Sequence, residues 1–284
     1  MQTRPYVLAG ADGTAGDERV LAWAMRAAGR RGADCVVAHG WHAARRGAAT
    51  GECHARAQEL LRAAVVRARA MDPGVPVRGE SAVGHPGDLL VHLGRGAELT
   101  VIGPGERRLH SLGAIAERVV THAPGPVVIV RGRGRTPLRG IGVGVDGSPA
   151  AREALAFAVE EARLNGARLV VASSYWTPDP PYNAAYLDVQ AVAGRRGVAE
   201  QMVEEAVGPY ARKYPELQVS VMVAAEPPGP LLGGLAEDMD LIVVGDRGRG
   251  PVARFVLGSI SHGLAHHAAC PVTVVPASPE EASS

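Results

Sequence analysis

Short apolar runs rich in Val, Ile and Leu recur near residues 5–11, 34–40, 75–82, 98–103 and 126–131. Runs that are apolar at successive positions predict strands buried on both faces, as in a parallel sheet, whereas a half-exposed sheet would alternate. The stretches between them are rich in Ala and Arg, and two of them, Asp17–Gly29 and Glu52–Met71, predict helices. Beyond residue 140 the rhythm begins again, with helices predicted near 149–165, 193–213, 229–237 and 258–268. Strands alternating with helices predict an open, doubly wound α/β sheet of Rossmann-like type.

The second half repeats the first in residues as well as in rhythm. Val7–Thr14 (VLAGADGT) matches Ile141–Ser148 (IGVGVDGS) at an offset of 134. Cys35–Trp41 matches Val170–Trp176 at 135, Leu99–Gly103 matches Leu241–Gly245 at 142, and Pro126 matches Pro271 at 145. The offsets only grow, so one unit of about 140 residues is duplicated with two small length changes, too long a period for a solenoid. Two tandem domains are expected, 1–135 and 136–284. The Arg- and Gly-rich stretch 131–140 reads as the linker.

Composition narrows the function. Thirty Lys and Arg against 29 Asp and Glu leave a net charge of +1, which argues against a nucleic-acid binder with a basic footprint. Cys35, Cys53 and Cys270 lie far apart, so no disulfide framework or cysteine-built zinc site is expected. The N-terminal residues lack a signal-peptide core, and no apolar run reaches the ~18 residues of a membrane span. A cytoplasmic protein without a membrane partner is the expectation.

The candidate chemistry sits after the fourth strand of the second half. Gly245-Asp-Arg-Gly248 is followed, nine residues on, by Gly258-Ser259 at the start of a predicted helix. Glycines let a backbone approach an anion closely, and a helix N-terminus presents unpaired N–H groups to it. Gly258, Ser259, Ile260 and Ser261 are therefore candidate phosphate donors, with Gly245 and Gly248 as the wall.

This Gly-x2-Gly-x9-Gly-Ser pattern resembles the nucleotide signature of the ATP-binding universal stress proteins, and the duplication is similar to their tandem two-domain members. The resemblance covers essentially the whole chain. It implies an adenine and ribose pocket at Val145, Asp146 and Gly147, with Ser174 or Tyr175 near the base. It places Val244, Gly245 and Gly248 along the ribose and first phosphate, and Gly258–Ser261 on the remaining phosphates. The ligand so implied is ATP, with Mg as a possible companion, and AMP or a cyclic nucleotide is the alternative. The implied function is regulatory: nucleotide occupancy biases conformation or partner binding during stress. The halves would pair through their fifth strands as a pseudo-dimer, and chains would form homodimers. The competing readings are a slow Mg-dependent ATPase or nucleotidyl-transfer enzyme on the same site, and a structural protein whose loops no longer bind nucleotide.

The first half departs from the pattern. Asp12-Gly13-Thr14 is kept, but nine residues rather than twelve separate Gly103 from the next helix-opening glycine, Gly113. Glu106 stands where the pattern has glycine, and Ala114 stands where the second half has Ser259. Weak or absent ATP binding is expected there, with Gly105 and Arg107 or Arg108 as the possible substitutes.

Other constellations carry less. His262, His266 and His267 share a predicted helix but lack an evident third ligand and outer shell, so no metal site is expected. No P-loop, GxSxG or kinase signature is present, and no catalytic residue is assigned. The Pro-rich segment Thr177–Tyr186 reads as a surface loop at the ligand edge, with a lid as the alternative.

Overall fold

A computed structural model describes residues 4–41, 50–105, 112–132, 138–177, 189–248 and 257–278. Glu106, Arg107, Arg108, most of the Pro-rich segment, the middle of the linker and the centre of the second glycine loop lie outside these residues. The chain divides into two compact units, Met1–Gly134 and Arg135–Ser284.

Unit 1 runs β1 (Tyr6–Gly10), α1 (Asp17–Arg31), β2 (Asp34–Trp41), α2 (Thr50–Met71), β3 (Val77–Val83), α3 (Pro86–Gly94), β4 (Leu99–Ile102), α4 (Ala114–His122) and β5 (Val127–Ile129). Its strands are parallel in the order β3-β2-β1-β4-β5. Unit 2 repeats the plan with β6 (Gly140–Gly144), α5 (Pro149–Asn165), β7 (Arg168–Ser174), α6 (Val189–Lys213), β8 (Val219–Ala224), α7 (Pro228–Asp238), β9 (Leu241–Gly245), α8 (Ser259–His267) and β10 (Val272–Val275). Its order is β8-β7-β6-β9-β10, again parallel. The doubly wound α/β architecture expected from the pattern is the one observed. In each unit the chain winds outward in both directions from its first strand. A crevice therefore opens at the carboxyl ends of β1 and β4, and of β6 and β9.

The central strands are buried on both faces. Ile141, Val143, Leu241 and Val243 are fully inaccessible and pack with Leu155, Ala158 and Ala162 of α5 into one core. Continuous apolar runs suit this position, because helices of a doubly wound sheet cover both faces. The edge strands differ from the expectation. In β8, Val221 is 53% exposed and Met222 40% exposed, and β3 (VRGESAV) is mostly exposed or half-buried. An edge strand has a neighbour on one side and less helix above it, so uniform burial is not required there.

Helix boundaries follow local chemistry. Ser148 caps α5, its Oγ accepting from the Ala151 N–H at 3.2 Å, and Pro149 takes the first helical turn where a missing N–H costs nothing. Gly166 ends α5 in the left-handed region at φ +61°. Leu155, 2% exposed at the centre of the unit 2 core, should lose about 2–5 kcal/mol of stability on Leu155→Ala. Urea denaturation followed by circular dichroism measures it, and an unchanged midpoint would contradict the packing described.

Candidate functional site

The site in unit 2 begins where β6 ends. The Val145 N–H still donates to Ala172 O at 2.9 Å, continuing the ladder, and the side chain is buried. The chain then turns: Gly147 has φ +82°, and the Ser148 N–H donates to Asp146 Oδ1 at 2.9 Å. That bond fixes the Asp146 carboxylate at the crevice mouth. Its other oxygen faces the glycine loop, since a Cβ built on Gly248 would stand 2.8 Å from Asp146 Oδ2.

The opposite wall is β9. Val244 is buried at 3% exposure and contributes backbone to the crevice. Gly245 has to be small, because a Cβ there would lie 2.7 Å from both the carbonyl carbon and the Cβ of Ala150 in α5. The loop then returns on itself. The Gly258 N–H donates to Asp246 O at 2.8 Å and opens α8. The first intrahelical bond of α8 runs from His262 N–H to Gly258 O, so the amides of Ser259, Ile260 and Ser261 precede it. Gly258 supplies no capping side chain. These amides, with the positive end of the helix, form a site suited to an anion.

The two serines of the loop have different roles. Ser259 is exposed, so its hydroxyl stands free for a ligand. Ser261 is 4% exposed, and its Oγ donates to Gly245 O at 2.6 Å. The Ser261 hydroxyl therefore binds the loop to β9, and the group Ser261 turns toward the crevice end of α8 is its backbone amide. Ile260 is half-buried. Asp246 is held by Arg247 Nε at 3.1 Å and by the Ala277 N–H at 3.4 Å.

The residues expected near a base lie on the β7 side. The Tyr175 N–H donates to Ala224 O at 3.0 Å, and Ser174 Oγ donates to Glu226 O at 2.6 Å. Ser174 Oγ also accepts from the Trp176 N–H, leaving the Trp176 side chain 44% exposed. The structure thus gathers Asp146, Gly147, Gly245, Gly248 and Gly258–Ser261 around one crevice, with Tyr175 on the adjoining strand end. Sequence reading missed Ala150, whose backbone sets the size limit at Gly245. Nothing in the local pattern carries that signal, because it arises from a contact across 95 residues.

Unit 1 builds the same junction from a shorter loop. The Gly113 N–H donates to Pro104 O at 2.7 Å, the counterpart of the Gly258 bond to Asp246. Gly105 takes φ +86°, packed against Gly113. Gly113 opens α4 without a capping side chain, and Ala114 and Ile115 are exposed. A cavity of about 680 Å³ lies here at the carboxyl ends of β1, β2 and β4, bordered by Asp12, Asp17, His39, Leu90, Ile102 and Gly113. The Asp17 carboxylate is 4% exposed and accepts from the N–H groups of Asp12 and Gly13, both at 2.9 Å. Burial pushes its pKa above the ordinary value, while the two amides pull it back.

Among the described residues no group of three or more His, Cys, Asp and Glu side chains is arranged to hold a metal. The His262 and His266 rings on α8 lie 4.2 Å apart between centroids, tilted by 31°. No helix among the described residues is long and apolar enough to cross a membrane.

Comparison with known proteins agrees with this architecture. The model of the universal stress protein family matches residues 5–131 and again 137–276. The chain belongs to the universal stress protein family. It is a tandem two-domain member. A universal stress protein of Mycolicibacterium smegmatis is 28% identical over 297 residues, covering 95% of this chain and 96% of its own. The crystal structure of a universal stress protein from Archaeoglobus fulgidus superposes with a TM-score of 0.72 over 97% of both chains at 20% identity, which establishes the fold. Another from Archaeoglobus fulgidus, solved in complex with dAMP, is 28% identical over 45% of this chain, with a TM-score of 0.38.

Gly245→Ala should destabilise unit 2 by about 1–3 kcal/mol through overpacking against Ala150. Thermal denaturation measures the loss, and an unaltered melting temperature would mean that β9 and α5 separate freely.

Proposed function

We propose that unit 2 of this universal stress protein binds ATP, and that occupancy biases its conformation or its contacts with partner proteins during stress. One observation carries the reading. The Gly258 amide is tied to Asp246 O, which leaves the next three amides of α8 and the exposed Ser259 hydroxyl at the crevice mouth, across from the Asp146 carboxylate. Phosphates suit the amide end, where partial positive charge and N–H donors coincide. A ribose hydroxyl suits Asp146, whose Oδ2 faces inward at Gly248. The base then extends toward Val145, Gly147 and Tyr175.

ATP is preferred to AMP because three amides and a hydroxyl on one helix turn offer donors to more than one phosphate. A magnesium ion accompanying ATP would bind chiefly through phosphate oxygens, with Asp146 as a carboxylate of the site that could assist. In this reading the loop positions and holds nucleotide rather than activating a water. Association of two chains is the form of assembly on which occupancy would act.

Calorimetric titration of nucleotide-stripped protein with ATP should give one site per chain. Gly248→Glu brings a side chain and a negative charge against Asp146 and should weaken ATP at least ~100-fold, the loss of a charged hydrogen-bonded contact or more. Absence of binding by the unaltered chain, or full affinity in Gly248→Glu, overturns the assignment.

A further inference from the structure

The outer strand of a sheet leaves one row of backbone N–H and C=O groups without a strand partner. In unit 2 that strand is β8, which pairs with β7 alone among the described residues. The Leu169 N–H donates to Gln218 O at 2.8 Å, and the Tyr175 N–H to Ala224 O at 3.0 Å. Along a parallel ladder, alternate residues turn both backbone groups toward the neighbour. Gln218, Ser220, Met222 and Ala224 therefore face β7, and Val219, Val221 and Val223 turn their N–H and C=O groups away from the sheet.

The side chains of this edge do nothing to repel a second strand. From Leu217 to Ala225 the chain carries no charge, and Glu216 and Glu226 are the nearest charged residues in sequence. The matching edge strand of unit 1, β3, carries Arg78 and Glu80, about half exposed and 3.7 Å apart, the kind of charge that keeps sheet edges apart. Val219 and Val223 pack against the core of unit 2, while Val221, between them on the same face, is 53% exposed. On the opposite face Ser220 is exposed and Met222 is 40% exposed.

The edge is complementary to itself. Two antiparallel copies of β8 related by a two-fold axis at Val221 set Val219 opposite Val223 and Val221 opposite its own counterpart. These are the residues whose backbone groups point outward, so each pair can exchange N–H···O bonds. Ser220 and Met222 then face each other between the bonded pairs. An axis at Val219 would instead oppose Glu216 to Met222, and one at Val223 would oppose Glu226 to Ser220. We propose that β8 is an interface between two copies of this chain, paired antiparallel about Val221 so that the unit 2 sheet of one chain continues into that of the next. The pairing gives every outward backbone group from Val219 to Val223 a partner and covers the exposed Val221. It needs no nucleotide, and it stands or falls independently of the ATP reading.

Sedimentation equilibrium of the full chain over a wide range of concentration should show a monomer–dimer equilibrium. Val221→Pro removes an outward N–H and no bond to β7, a change that edge strands tolerate. It should weaken the dimer at least about 10-fold, the scale of the hydrogen bonds lost across the axis. Val221→Lys sets two like charges opposite each other and should weaken it as much, an arm that holds even where Val221→Pro fails to fold. Val83→Lys, at a 60% exposed position on β3, should leave it unchanged. Amide exchange followed by NMR should show protection at Val219, Val221 and Val223 that rises with protein concentration, with Ser220 and Met222 protected throughout. A monomer at every concentration overturns the proposal and leaves the edge to an extended segment of another protein. An unweakened dimer in folded Val221→Pro or Val221→Lys, a dimer lost in Val83→Lys, or outward amides indifferent to concentration overturns it as well.

Discussion

One backbone hydrogen bond closes the glycine loop of each unit, and the geometry of each crevice depends on it. Gly258 N–H to Asp246 O at 2.8 Å, and Gly113 N–H to Pro104 O at 2.7 Å, tie the start of the last helix to the residue just past the fourth strand. The closure fixes where α8 and α4 begin, and so where their unpaired amides stand. Loops of different length reach the same junction because the closing bond is set at their ends. A longer or shorter excursion between closed ends changes the entropy of closure slowly.

Small side chains complete what the closure begins. Gly245 lets β9 lie against the first turn of α5, and Gly40 lets β2 lie against Pro86, where a Cβ would stand 2.5 Å from the Pro86 Cα. Both contacts bring a strand end close to a helix start at the carboxyl edge of the sheet.

The two units therefore share a frame and differ in charge placement. In unit 2 a hydroxyl caps the first helix and the Ser261 hydroxyl stiffens the loop from within. In unit 1 the Asp17 carboxylate, in the first turn of α1, accepts instead from the amides of Asp12 and Gly13 in the turn after β1. Duplication preserved the hydrogen-bonded scaffold, since each strand and helix needs it.

The sequence alone determined the duplication, the parallel α/β sheets and the place of the loop in each unit. Those properties follow from periodicity and from glycines and caps, which act within a few residues along the chain. Continuous apolar runs announced the central strands, but not the exposed faces of β3 and β8, because a strand's place in the sheet is not a local property. Gly248 and Gly258 were legible from spacing, and Asp146 from the resemblance to the family. The inward turn of the Ser261 hydroxyl and the limit set by Ala150 at Gly245 were not. Neither was the cavity of unit 1, with Asp17 turned back onto its own strand end. Each of these depends on which groups meet across many intervening residues, and a hydroxyl or carboxylate in sequence does not say which partner folding will bring to it. Tertiary structure made that choice, because a buried polar group must find a hydrogen-bond partner wherever packing places one.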